Sequence, residues 1–397
     1  MTRTIVIAGA GHAAGQVIAT LKQKKFDGRI VLIGDEPYLP YQRPPLSKKF
    51  LAGELAAERL YVKPAAFYDD AQIDLRLNTR IDHIDRIARQ LTTANNDTIP
   101  YDKLVLALGS RVRKLSVDGS QLDGIHYLRS IADVNSIRAA LSAGSRVVIV
   151  GAGYIGLEVA AVCRQLGLDV TVLEMADRVM SRVVSPQVSD FYQRTHNSHG
   201  VKLLLSTGIS AFCGDSKVHS VVTGDGQTLT ADFVVVGVGI LPNTELAESA
   251  GLDVNDGIVV NDQCQTSDPD IYAVGDCTSH PNAIYDRRLR LESVHNALEQ
   301  AKTAASNICG VEMHYSQVPW FWSDQYDRKI QLAGRVRADD EVRIVTGSLE
   351  ERRFAVLYGR QGKLVGVLGF NRPRHVMLYR AMIEDGASFG DAVAADI

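Results

Sequence analysis

The sequence predicts an α/β protein made of two nested parallel-sheet units followed by a small C-terminal α+β domain. Two observations carry the prediction. A β-branched run, a glycine turn and an apolar helix occur in succession twice, at TIVIAGAGHAAG (4–15) and at VVIVGAGYIGLEVA (147–160). Beyond about residue 319 the chain reads instead as short strands, KIQLAG, VRIVTGS, FAVLYGR and KLVGVLGF, and then a helix around MLYRAMIEDG.

In the first turn Gly9, Gly11 and Ala14 occupy a GxGxxG/A pattern; in the second the positions are Gly151, Gly153 and Gly156. The first glycine makes the tight turn. The second lets the backbone approach a pyrophosphate, and the third small residue lets helix and strand pack closely. The phosphates then lie at the helix N-terminus, where free N–H groups favour anions. Such a pattern alone is a weak signal, because a ligand-free turn can carry it; the context strengthens it. RIVLIGDE places Asp35 24 residues after Gly11, and DVTVLE places Glu174 21 residues after Gly153. An acid there can hold a ribose diol.

YDKLVLALGSR (101–111), with Gly109, closes the first unit, and ADFVVVGVGILPN (231–243), with Gly239, closes the second in the same way. The chain therefore holds two dinucleotide-binding units. The second lies inside the first, which the strand-like runs of 258–277 and the helical spacing of 291–308 complete. The expected domains are 1–114 with 245–318, 115–244, and 319–397.

Composition narrows the function classes. A net charge of −3 over 397 residues argues against nucleic acid as the main partner. No apolar run reaches the roughly 18 residues that span a bilayer. The opening MTRTIVIAGAG lacks a signal-peptide pattern. Five cysteines without pair spacing read as reduced thiols in a cytoplasmic protein, and ten histidines show no metal spacing.

Beyond the glycine turns, PYQRPPLSK (40–48), TSDPDIYAVGDC (266–277), ESVHNALEQA (292–301) and PWFWSDQYD (319–327) are distinctive. With them the sequence resembles, over nearly its whole length, the FAD-dependent, NADH-linked ferredoxin reductases of bacterial oxygenase systems, the putidaredoxin reductase-like and rubredoxin reductase-like group. The resemblance implies two nested Rossmann-like domains of the glutathione reductase superfamily, with FAD in the first and NADH in the second. It also implies an iron–sulfur acceptor, a two-iron two-sulfur ferredoxin or a rubredoxin, that serves an oxygenase. Carried over by position, FAD contacts fall on Gly9, Gly11, Ala13, Asp35, Arg43, Lys48, Ile81, Gly109, Arg129, Asp276, Val294 and Trp320. NADH contacts fall on Gly151, Gly153, Tyr154, Ile155, Gly156, Glu174, Arg182 and Gly239.

Two of these residues pose a physical question together. Glu158 sits among apolar neighbours, and burying an unpaired carboxylate is expensive. Lys48 follows two prolines that stiffen its segment. The resemblance implies that they pair beside the flavin, which makes Lys48 and Glu158 the catalytic candidates. Glu174 would repel a 2′-phosphate by roughly 4 kcal/mol per unit charge at about 4 Å, which favours NADH over NADPH. Arg178 and Arg182 follow it but do not replace the acid. No cysteine occurs in EPYLPYQRPPLSKKFLAGELA after Asp35, which leaves electron transfer without a thiol. An NADH oxidase or quinone-type reductase with no protein acceptor is the enzymatic alternative. An NADH-sensing flavoprotein is the non-enzymatic one.

Overall fold

The structure, a computed structural model, describes residues 3–337 and 339–395. It divides into two compact units. The first is built from the described residues up to Arg43, from Glu58–Arg111 and from Leu241–Pro319. The second is built from Pro44–Ala57, Val112–Ile240 and the described residues from Trp320 onward.

The first unit is organised by a parallel sheet of five strands in the order Ile271–Ala273, Lys103–Leu106, Thr4–Ala8, Arg29–Ile33, Asp74–Arg76. Its central strand is completely buried from Ile5 to Ala8, which explains the continuous apolar run. Helices His12–Gln23 and Val294–Ile308 share one core cluster, with Val17, Ile18 and Leu21 meeting a row of alanines, Ala297, Ala301, Ala304 and Ala305. Small side chains at those positions let the two helices approach closely.

The second unit repeats the arrangement. Its parallel sheet runs Lys202–Leu204, Asp169–Leu173, Arg146–Val150, Phe233–Val236, Ile125–Tyr127. The tail forms an antiparallel sheet of five strands, in the order Trp320–Gln325, Arg328–Gly334, Lys363–Phe370, Arg353–Arg360, Glu341–Ser348, followed by helix Pro373–Glu384. It groups with the second sheet for a packing reason. Phe191, on helix Pro186–Ser198, meets Phe370 edge-on with ring centroids 4.8 Å apart, and also meets Phe354. Those two rings are themselves stacked. No helix among the described residues is long and apolar enough to cross a membrane.

Candidate functional site

In the first unit the glycine turn joins strand Thr4–Ala8 to helix His12–Gln23. Gly9 has φ +104°, and a Cβ there would lie 2.3 Å from the Ala107 carbonyl oxygen, so no other residue fits. A Cβ on Gly11 would meet nothing within 4 Å: the space over the turn is open. No side chain caps this helix, whereas Ser293 Oγ caps helix Val294–Ile308 by accepting from Asn296 N–H. An open turn in front of an uncapped helix start suits a pyrophosphate. Ala13 and Ala14 are buried behind it, and Asp35 stands exposed past the neighbouring strand.

The remaining first-unit candidates surround this turn's sheet. Gly275 N–H donates to Gln300 Oε1 at 2.8 Å, which ties the end of strand Ile271–Ala273 to the Val294–Ile308 helix. Asp276 follows, and its Oδ2 accepts from Ser110 Oγ at 2.9 Å, next to Gly109. Asp276 begins no helix, so it is not a cap. Arg43 donates to Tyr41 Oη at 3.0 Å and to Glu36 Oε1 at 2.9 Å, and lies over the Tyr41 ring. Ile81 opens strand Ile81–Asp85, and Val294 is the first residue of its helix. The donor set fits FAD: open backbone N–H groups for its phosphates and carboxylates to accept from its hydroxyls.

In the second unit, the turn before helix Tyr154–Gln165 is likewise uncapped, and a Cβ on Gly153 meets nothing within 4 Å. A Cβ on Gly156 would lie 2.0 Å from the Gly151 oxygen, so the third glycine is obligatory here. Glu174 bends back to this turn. Its Oε2 accepts from Ala152 N–H at 2.8 Å and its Oε1 from Ala176 N–H at 2.9 Å. Each oxygen keeps a lone pair for a ribose hydroxyl. Arg178 is committed elsewhere, to the Val184 and Ser181 carbonyls and to Ser189 Oγ, while Arg182 is exposed. Ile155 is 43 % exposed at the helix start. Tyr154 packs against Phe321 at 4.4 Å with its hydroxyl buried. Gly239 follows strand Phe233–Val236, and Arg129 precedes the capping box of Ser130 and Asp133.

Glu158 is 2 % exposed, in the middle of a helix buried from Gly156 to Cys163. The sheet covers one side of that helix; the short turn Pro44–Ser47 and strand Trp320–Gln325 cover another. Three donors converge on the carboxylate. Lys48 Nζ donates to Oε2 at 2.6 Å, Ser47 Oγ donates to the same oxygen at 2.5 Å, and Ser323 Oγ donates to Oε1 at 2.6 Å. Lys48 Nζ also reaches the Pro44 carbonyl at 3.2 Å. Burial pushes the Glu158 carboxyl above its ordinary value; Lys48 and the two serines oppose that push. The site is more deeply buried than a helix-terminus acid facing water.

Ser47 and Ser323 were not singled out by the sequence, although both lie inside its distinctive motifs. The available signal was the number of acceptor sites on a buried carboxylate, which one lysine cannot fill. Trp320 stacks on Trp322 at 5.1 Å, as residues two apart on one strand face allow. The five cysteines are free thiols; burial raises Cys163 to about 12 and Cys277 to about 11. No group of three His, Cys, Asp or Glu side chains that could hold a metal occurs among the described residues.

Comparison with known proteins accords with this geometry. Residues 3–301 match the family described as pyridine nucleotide-disulphide oxidoreductase, and 320–397 match the reductase C-terminal family. Rhodocoxin reductase of Rhodococcus erythropolis is 41 % identical over 99 % of this chain and 92 % of its own. The ferredoxin reductase of the CYP199A2 system from Rhodopseudomonas palustris is 41 % identical, with TM-score 0.94 over 99 % of this chain and 97 % of that one. The reductase in the covalent putidaredoxin reductase–putidaredoxin complex is 38 % identical, with TM-score 0.95 over 99 % and 96 % of the two chains. With two glycine turns on two parallel sheets and a matched C-terminal domain, the chain belongs to the pyridine nucleotide-disulphide oxidoreductase family, among its ferredoxin reductases.

Proposed function

We propose that this protein is an NADH-dependent ferredoxin reductase. The observation that carries the reading is the pair of open, uncapped glycine-turn helices, one in each compact unit. FAD, when bound, accepts a hydride from NADH and releases electrons singly to a ferredoxin or rubredoxin that serves an oxygenase. Residues 1–114 with 245–318 bind FAD, 115–244 bind NADH, and 319–397 form the third domain. Gly9, Gly11 and Ala13 present the first helix start to the FAD pyrophosphate, and Asp35 accepts from its ribose. Arg43, Ile81, Gly109, Arg129, Asp276, Val294 and Trp320 complete the FAD contacts.

Gly151, Gly153, Tyr154, Ile155, Gly156, Arg182 and Gly239 receive NADH, and Glu174 holds its ribose diol. Lys48 presents a cation to the flavin, where negative charge develops on reduction, and Glu158 holds Lys48 in place. The protein works in the cytoplasm. The purified protein should be yellow, with about one FAD per chain, and reduced far faster by NADH than by NADPH. Its turnover should saturate as ferredoxin is titrated in. A colourless protein, or turnover indifferent to added ferredoxin, would overturn the reading.

A further inference from the structure

Glu158 has two oxygens and an uneven supply of donors. Oε2 is shared by Lys48 and Ser47, while Oε1 receives Ser323 Oγ. Ser323 lies on strand Trp320–Gln325, within the stretch matched by the reductase C-terminal family. Its hydroxyl has one proton. An ionised Glu158 can only accept, so that proton points at Oε1. The Ser323 oxygen is then left to accept, and Gln325 Nε2 donates to it at 3.3 Å. This fixes the Gln325 amide with Oε1 towards His196, whose Nε2 lies 2.8 Å away and must be the donor. Nδ1 of the same ring is thereby an acceptor, and the Tyr326 hydroxyl stands 3.4 Å from it. Ser323, Gln325 and His196 are at most 1 % exposed, so water does not compete along the chain.

We propose that Ser323, Gln325 and His196 are positioning residues that act through Glu158, keeping it ionised and aimed at Lys48. The inference rests on the reductase reading above and deepens it. The C-terminal domain then supplies part of the geometry of flavin reduction as well as any docking surface. His196 does not interrupt the chain at neutral pH, since burial lowers it to about 4 and keeps the ring neutral. Two other titratable groups lie near Glu158. Tyr154 precedes it by one turn, and Tyr192 faces it from helix Pro186–Ser198. Asp324 and Arg328 act on Tyr192 from the tail strands. Only Lys48 among them donates to the carboxylate.

The test uses holoenzyme of Ser323→Ala, Ser323→Cys and Gln325→Leu, read in two ways. Infrared titration follows the Glu158 carboxyl, assigned as the band lost in Glu158→Gln. Stopped-flow absorbance follows flavin reduction by NADH across pH. Ser323→Ala should raise the carboxyl midpoint by about one pH unit, the expected loss of one charge-assisted hydrogen bond. The acidic limb of the reduction rate should move by the same amount. Ser323→Cys, with a weaker donor, should fall between wild type and Ser323→Ala, and Gln325→Leu should shift the midpoint upward by less. An unmoved midpoint in Ser323→Ala overturns the proposal. Should that variant give no holoenzyme, an unmoved midpoint in both Ser323→Cys and Gln325→Leu overturns it equally. Absence of NADH reduction in the wild type would instead overturn the functional reading, while the carboxyl midpoint would still report on the hydrogen-bond chain by itself.

Discussion

Glu174 Oε2 accepts from Ala152 N–H at 2.8 Å, so the acid that ends one strand is clamped to the glycine turn that follows another. The clamp fixes the carboxylate beside the turn; under the proposed NADH reading it meets the ribose there and sets its charge against a 2′-phosphate. The full repulsion, about 4 kcal/mol per unit charge at an effective dielectric near 20, is an upper bound, because the side chain is partly solvated. Glu174→Ala should therefore narrow the NADH-over-NADPH preference in kcat/KM by about ten- to a hundred-fold. A nearby arginine added to that variant should narrow it further. An unchanged ratio would remove Glu174 from cofactor choice.

Lys48 and Glu158 form a buried pair at 2.6 Å, with side-chain exposures of 17 % and 2 %. Removing either leaves a stranded charge, a loss of about 3–5 kcal/mol in typical buried pairs. Lys48→Ala and Glu158→Ala should each slow flavin reduction by about a hundred-fold. The double variant should be little slower than either, giving a coupling above about 1 kcal/mol in a double-mutant cycle. Additive losses would separate the two residues.

The glycine turns predict a contrast between fold and binding. Gly11 and Gly153 have open space where a Cβ would go, whereas a Cβ on Gly156 meets backbone at 2.0 Å. Gly11→Ala should fold normally by circular dichroism but lose FAD occupancy. Gly153→Ala should keep FAD and weaken NADH binding, seen as a raised KM without loss of absorbance at saturation. Gly156→Ala should lower the melting temperature as well. Full FAD occupancy in Gly11→Ala would mean that the pyrophosphate lies elsewhere.

Two buried histidines set an acid limit on stability. His196 and His280 are 0 % exposed, and burial lowers each from 6.5 to about 4. Their folded values lie below their unfolded ones, so the unfolded chain binds more protons as pH falls from 6.5 towards 4. Stability present above pH 6.5 is lost across that window, by about 3 kcal/mol per histidine. Glu158, raised by burial, acts in the opposite sense: the folded state holds its proton more tightly, so stability falls as pH rises past the ordinary glutamate value. Unfolding midpoints measured between pH 8 and pH 5 should drop less steeply in His196→Gln and in His280→Asn than in wild type. An unchanged slope in both would show that neither histidine is held neutral by the fold.

What the sequence determined by itself was written in short stretches of neighbouring residues. Gly9, Gly151 and Gly156 specify two tight turns through backbone sterics, Gly11 and Gly153 leave the space over those turns open, and apolar runs before them specify two buried parallel strands. Asp35 and Glu174 are legible because a strand end fixes their distance from those turns. Four strands of the tail's sheet and its helix Pro373–Glu384 follow from the same local patterning. Tertiary structure alone decided which hydroxyls join Lys48 on Glu158. The sequence signals that a carboxylate within Gly156–Cys163 needs partners, but Ser47 and Ser323 come from 111 and 165 residues away, and any buried hydroxyl would have served as well on paper. Likewise, nothing local says that Phe354 and Phe370 will meet Phe191 and bring the tail to the second sheet. Turn chemistry is a property of adjacent backbone units, whereas a buried hydrogen-bond chain exists only once packing has excluded water and brought distant segments within about 3 Å of each other.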